Sequence, residues 1–332
     1  MTPDVTIIGA GVAGLCVARA LLDRGAAVTL VDRHADAGAH ACSWWAGGML
    51  APFCEGESAE EPVVRLGAEA ADWWAAQTDQ VHRAGSLVIS PARDKSDLAR
   101  FARRTTGHRA VTAAEIAVLE PDLGDRFAKG LFFESEAHLA PRAALADLRK
   151  GLLRDGATFV QRDAVPSQDA THGLTIDCRG FGARDHLSDL RGVKGEMLVL
   201  SCPDVSLSRP IRMLHPRVPL YIVPRGAGIF MLGATMIEGQ AGKHVTARAM
   251  LELLSAAYAL NPAFGEAEVL EIGVDSRPAF PDNLPRIRRD GNLISANGLF
   301  RHGFLLAPAL ARMVAELIFD GKIPEVMDEV AA

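Results

Sequence analysis

The chain has 332 residues, 49% of them hydrophobic and 23% charged, with a formal net charge of −6. An apolar fraction of that size excludes intrinsic disorder and suffices for one large core or two interleaved domains, whereas the acidic balance lacks the basic excess that phosphate contacts demand, so no nucleic acid is expected. Cys16, Cys42, Cys54, Cys178 and Cys202 are odd in number and form no C-x-x-C pair, which argues against a disulfide framework or a zinc site and for reduced thiols in a cytoplasm.

Residues 5–8 are a short apolar run that reads as a strand. Gly9, Gly11 and Gly14 follow, then a helix-period stretch over 15–24 and a stop at Gly25. A β-branched run at 28–31 ends on Asp32 and completes a unit with the proportions of a βαβ crossover. Residues 42–52, CSWWAGGMLAP, break all periodicity and read as a functional loop, and 59–83 return to a helical pattern. A helix is expected over 141–154, then strands over 157–160 and 174–177. The runs 196–200, 220–223 and 229–234 are strand-like, the last two joined by a glycine-containing turn at 225–228. Another helix over 246–259 precedes a loop with Arg277-Pro278, a strand at 293–296, a glycine loop and a closing helix over 308–319. The N-terminus runs straight into the fold without the charged and apolar regions of a signal peptide. The alanine-rich stretches are broken by charges before they could span a membrane, so no membrane partner is expected. The pattern is an α/β protein: a Rossmann-type unit over 1–80, 140–195 and 275–332, interleaved with a mostly antiparallel-sheet unit over 81–139 and 196–274.

G-x-G-x-x-G at Gly9, Gly11 and Gly14 has a mechanical basis. The first glycine makes the turn, the second admits a pyrophosphate against the backbone, and the third lets helix pack on strand. By itself the spacing is weak, but the strand before, the helix after and Asp32 at the end of the next strand strengthen it, because an acid there accepts a ribose hydroxyl. Asp32 would repel the 2′-phosphate of NADP, although Arg33 adjoins it. Between NAD and a flavin dinucleotide, the small-residue loop with Trp44, Trp45 and Met49 favours a flavin, since small residues let backbone pack on a flat ring. The segment from Gly298 to Pro308 is a second glycine loop opening a helix, whose N-terminus is an anion site.

In the order they occur, the fingerprint, the A-G-G-M-L loop, L-Y-I-V-P-R, G-A-T-M, Arg277-Pro278 and G-L-F-R-H-G-F-L-L-A-P resemble the D-amino-acid oxidase and sarcosine oxidase family of flavoenzymes, and within it the glycine oxidases of thiamine biosynthesis. The resemblance covers essentially the whole chain. It implies FAD, bound non-covalently because none of the five cysteines lies beyond Cys202, where sarcosine oxidases attach their flavin. It implies that Gly9, Gly11, Val12, Ala13, Gly14, Asp32 and Arg33 hold the adenosine and pyrophosphate. Cys42, Ser43, Ala46, Gly47, Gly48 and Met49 match the flavin loop, Val165 the adenine contact, and Leu299, Phe300, Arg301, His302, Gly303, Phe304 and Leu305 the stretch around the flavin pyrimidine. Arg277 and Arg301 match two arginines near the substrate carboxylate, a role suited to a bidentate fork. Tyr221, Met236 and Met49 match the pocket above the flavin, where a small amino acid would meet dioxygen. Residues 175–180 keep only the final glycine of the A-A-G-type turn common in such proteins.

The expected reaction is hydride transfer from the substrate α-carbon, with the imine hydrolysed to a 2-oxo acid and ammonia and with release of hydrogen peroxide. A thiazole-forming partner would receive the imine, and a homo-oligomer is expected. His215 and His302 receive no acid-base role, and Glu196 and Asp282 read as solvated. Two rival readings stay open at this point: a flavin dehydrogenase that passes electrons to a quinone or protein, and a non-catalytic dinucleotide-binding module, which the two arginines disfavour.

Overall fold

A computed structural model of the chain describes residues 3–91, 95–171, 173–215, 220–239 and 244–328. The apolar run of the first strand, Asp4–Ile8, is buried between Ala27–Asp32 and Leu174–Asp177, all three parallel. Thr158–Gln161 extends this sheet beyond Ala27–Asp32, and Leu293–Asn297 extends it on the other side, both parallel, before Arg286–Asp290 closes the edge antiparallel. Parallel strands need both faces covered, and near-continuous runs such as Val28, Leu30 and Val31 supply the apolar surface. The helix Val12–Leu22 and the closing helix Gly303–Asp320 pack together on one face with most of their residues buried.

A nine-stranded, mostly antiparallel sheet forms the second layer. Its order runs Ile237–Glu238, Arg191–Ser201, Ile229–Gly233, Leu220–Pro224, Ile211–Met213, Ser86–Ile89, Lys129–Phe133 and Arg109–Thr112, with Glu268–Ala279 paired along the other side of Arg191–Ser201. A three-stranded sheet of Val81–His82, Ala137–Leu139 and Met49–Leu50 joins the flavin loop to it. Among the described residues no helix is long and apolar enough to cross a membrane.

Several expectations need correction. The first helix begins at Val12 rather than residue 15. Residues 59–83 form not one helix but two, Glu61–Gly67 and Ala70–Ala75. The break is a tightened turn, with Ala68 N–H bonded to Arg65 three residues back, where Gly67 abuts Leu305 of the closing helix. The antiparallel strands at Ser86–Ile89, Arg109–Thr112 and Lys129–Phe133, and the helix Ala113–Leu119 between them, were not anticipated. Glu196 is not solvated but fully buried: Lys194 lies 2.9 Å away, the Thr246 amide donates to it at 2.8 Å and the Thr235 hydroxyl at 3.0 Å.

The closing helix also starts five residues earlier than its proline suggests, with Pro308 inside it. Proline has no N–H, so the carbonyl four residues back, on Phe304, loses its helical donor. The buried Trp74 indole N–H donates to that carbonyl at 2.8 Å and restores the bond from another segment of the chain. Replacing Trp74 by Phe should therefore cost about 1–3 kcal/mol for the unsatisfied carbonyl. In a Pro308→Ala background, where the helix supplies its own N–H, the cost should shrink. Denaturant unfolding of the four proteins measures the coupling, and an equal cost in both backgrounds would refute the substitution of one donor for the other.

Candidate active site

At the carboxyl ends of the first two parallel strands the chain is shaped for a dinucleotide. Gly9 has φ 102°, and a Cβ there would press on the Cys178 carbonyl, while one at Gly14 would strike the Gly9 carbonyl, so both glycines are sterically required. Asp32 accepts from the Ala10 amide at 2.8 Å and from the His34 amide at 2.9 Å. The Ser43 hydroxyl, from the flavin loop, accepts from the Val12 amide at 3.1 Å and so ties that loop to the N-terminus of the first helix. A groove between Gly11, Asp32, His34, His40, Ser43 and Trp44 opens here. Arg33 does not line this groove but is exposed, 3.5 Å from Asp163, and Val165 is exposed at the start of the short helix Pro166–Asp169.

The flavin loop is held from behind. Arg142 stacks over the Trp44 ring at 4.3 Å and the Trp45 ring at 5.3 Å and forks onto Glu271 at 2.7 and 2.9 Å. Gly273 leaves room for Trp45. The loop's tryptophans are thus wedged between layers, which is why this apolar segment is not a surface loop. Gly47 packs against the Tyr221 ring, where a Cβ would come within 2.9 Å, and the Gly48 carbonyl accepts from the Leu139 amide at 2.8 Å. Arg225, unassigned in the sequence reading although it ends L-Y-I-V-P-R, donates to the carbonyls of Leu139, Ala46 and Gly47 at 3.0, 3.3 and 2.8 Å. The amides of Gly47 and Gly48 meet no acceptor among the described residues. Steric glycines, a carboxylate at the second strand's end and free donors on the loop fit a flavin dinucleotide.

On the pocket side, Tyr221 is part-buried, and desolvation raises its hydroxyl above the ordinary value against the pull of Arg277, Arg212 and Arg225. Arg277 lies over Gly195 and donates to the Thr235 carbonyl at 3.2 Å. It forms no ion pair with any described residue. Arg301 is different: its guanidinium lies 2.7 Å from Glu55, bonds the Ser58 hydroxyl at 2.6 Å and approaches the Met236 sulfur at 3.8 Å. Met236 is 54% exposed.

Glu55 was missed by sequence reasoning. Besides Arg301, it binds Arg212 at 2.5 Å and lies 3.0 Å from the buried His302 Nε2. Burial pushes the Glu55 carboxyl up, but Arg301, Arg212 and the His302 bond outweigh it and hold it well below the usual range. Burial lowers His302 against the opposing effect of Glu55. The only sequence signal was an acid just after a small-residue loop and an arginine between the apolar residues of I-R-M.

The family of FAD dependent oxidoreductases designated DAO matches residues 4–317, and the chain belongs to it. It is therefore an FAD-dependent enzyme. It is 54% identical, over 94% of its length and 95% of the relative's, to the putative thiamine biosynthesis oxidoreductase ThiO of Rhizobium etli. It is 27% identical, over 96% of its length and 95% of the relative's, to the glycine oxidase of Pseudomonas aeruginosa. Among solved structures, the glycine oxidase of Geobacillus kaustophilus superposes with a TM-score of 0.80 at 22% identity, covering 98% of this chain and 97% of that one, a likeness of fold.

Beside this network, buried Glu136 accepts from the Cys54 amide at 2.7 Å, and its second oxygen has no partner among the described residues. Burial raises its carboxyl to about 7. A carboxyl raised above its unfolded value contributes stability that is present below about pH 4.5 and is lost as pH rises through 7. Glu136→Gln, neutral throughout, should therefore gain roughly 3 kcal/mol relative to the parent between pH 4.5 and pH 8. Unfolding titrations at the two pH values check this, and a difference that does not change with pH would contradict it.

Proposed function

We propose that the chain is a glycine oxidase-type amino-acid oxidase that works in the cytoplasm, holds FAD non-covalently and acts in thiamine biosynthesis. The observation that carries the reading is Arg277: a part-buried guanidinium fixed on a strand, bonded to one carbonyl, paired with no described carboxylate and close to Tyr221. A substrate carboxylate completes it. Arg301, ion-paired with the Glu55 that it shares with Arg212, is left to shape the rim with Met236. The relatives' names, a glycine oxidase and a putative thiamine biosynthesis oxidoreductase, support a small amino acid as substrate and a place in thiamine synthesis; in this reading a thiazole-forming partner is the recipient of the imine. A homo-oligomer is part of the same reading.

Bound FAD would accept a hydride and return two electrons to dioxygen as hydrogen peroxide. This chain's residues do the rest. Gly9, Gly11, Val12, Ala13 and Gly14 would receive the pyrophosphate, Asp32 the ribose, Arg33 and Val165 the rim of the adenosine site, and Cys42 to Met49 the ring. The segment Leu299, Phe300, Arg301, His302 and Gly303 leads into the N-terminus of the closing helix, with Phe304 and Leu305 in its first turn, and the positive end of its dipole would favour negative charge on a bound flavin. Arg277 fixes the substrate carboxylate, so the α-carbon hydrogen faces the ring. As the α-carbon loses its hydride, the neutral amine's lone pair forms the C=N bond, and water then releases ammonia and the 2-oxo acid. No acid-base side chain is required. Residues 1–80, 140–195 and 275–332 make up the FAD unit in this reading, and 81–139 with 196–274 the substrate unit.

Glycine should release peroxide and reduce the enzyme rapidly. Met49, Tyr221 and Met236 leave little room for a side chain, so bulky D-amino acids should be poor substrates. A peroxide assay over glycine, sarcosine and D-amino acids decides, and a large D-amino acid turning over faster than glycine would overturn the pocket assignment. Slow reoxidation in air would favour a dehydrogenase instead.

Arg277→Ala should lower kcat/KM about 10- to 1,000-fold, the loss of a charge-assisted fork in a part-dry site, with FAD retained. Lysine at 277 keeps the charge without the fork and should recover only part of the loss. Steady-state kinetics and flavin absorbance measure both. Near-normal kcat/KM in Arg277→Ala would transfer the clamp to Arg301.

A further inference from the structure

We propose that Arg225 is the positioning residue for the flavin ring: by gripping the Ala46 and Gly47 carbonyls it turns the Gly47 and Gly48 amides, as adjacent donors, toward the flavin. The inference rests on reading residues 46–48 as the flavin loop. A trans peptide is planar, and its C=O and N–H point in opposite directions. The Ala46 and Gly47 carbonyls both accept from the same guanidinium nitrogen, at 3.3 and 2.8 Å. The Gly47 and Gly48 N–H groups must then leave the opposite side of the loop, where neither finds an acceptor among the described residues. The next carbonyl, on Gly48, is also held from behind by the Leu139 amide, and Arg225 grips the Leu139 carbonyl as well, so the loop cannot rotate its peptides independently.

Arg225 differs from the other arginines near the site. Arg212 and Arg301 share Glu55 and Arg142 is paired with Glu271, whereas the described partners of Arg225 are all main-chain carbonyls. Burial lowers its guanidinium only to about 10, so it remains a cation at neutral pH. Its charge therefore reaches the loop's outer face uncompensated by a described acid, and it favours the form of the ring that carries more negative charge. Orientation needs the planar fork, and the field needs only the charge.

The two roles separate experimentally in the purified holoenzyme. Arg225→Met should raise the dissociation constant of oxidised FAD about 10- to 100-fold. It should weaken the reduced form roughly tenfold more than the oxidised form, which lowers the two-electron midpoint potential by about 30 mV. Arg225→Lys should weaken FAD similarly while keeping the potential near that of the parent, and it serves as the test if the Met variant does not fold. Gly47→Ala, whose Cβ would meet Tyr221, is the reference for the loop itself. If Gly47→Ala weakens FAD and the Arg225 variants change neither binding nor potential, the positioning role is wrong and the flavin loop stands. If none of the three alters FAD binding, the loop reading fails and the proposal with it. Lysine restoring both quantities fully would remove the fork from the argument, and a potential that falls as far in the Lys variant as in the Met variant would remove the charge.

Discussion

The arrangement of the pocket depends on one buried carboxylate. Glu55 sits on a four-residue helix at the end of the small-residue loop, and it binds Arg212 from the antiparallel sheet and Arg301 from the segment leading into the closing helix. Two cations and a neutral imidazole cannot share that volume without an anion, because an unpaired buried charge costs several kcal/mol. Glu55 therefore fixes where three chain segments meet. It also sorts two arginines that look equivalent in the sequence: Arg301 is ion-paired with Glu55, and Arg277 has no ion pair with any described residue.

Around this centre the protein divides support from display. Arg142 and Arg225 hold the flavin loop from behind through rings, a carboxylate and carbonyls, and the loop itself contributes glycines, whose missing side chains leave backbone exposed to a flat partner. Flexible residues thus become a rigid surface because their neighbours are not flexible. The same logic applies at the fingerprint, where Gly9 and Gly14 press against fixed carbonyls and Ser43 ties loop to helix.

Much of the parallel layer was legible because its signals are local. The strand, the glycine spacing, the helix and Asp32 lie within about thirty residues, and strand 174–177 alternates Leu174 and Ile176 with polar residues. Arg277 is singled out by its match to a family arginine and its place before Pro278, but the sequence reads there as a loop, whereas Arg277 lies on the strand Glu268–Ala279. Glu55, Arg212 and Arg225 were not legible in that way. Their roles arise from partners 86 or more residues away in sequence, and an isolated acid or arginine carries no mark of its future neighbour. Pro308 shows a local rule defeated by a distant donor: proline favours the first helical turn, yet Trp74 supplies the missing bond and lets the helix begin at Gly303. The strands between 86 and 133 went unseen because each is only four or five residues long and helices separate them.

The order of strands in the parallel sheet has a consequence for synthesis. Its oldest strand, Asp4–Ile8, pairs with Leu174–Asp177, and that strand waits for Leu293–Asn297, followed only by the helix that covers the face. While the ribosome makes the intervening residues, the N-terminal hydrophobic strands have no finished sheet to join, and loop closure over such separations is slow. The glycines of the cofactor groove are made well before Leu293–Asn297, the strand that completes the parallel layer beside Leu174–Asp177. A nascent chain of this kind exposes apolar strand edges for most of its elongation, a period in which chaperones rather than its own contacts shield it from association.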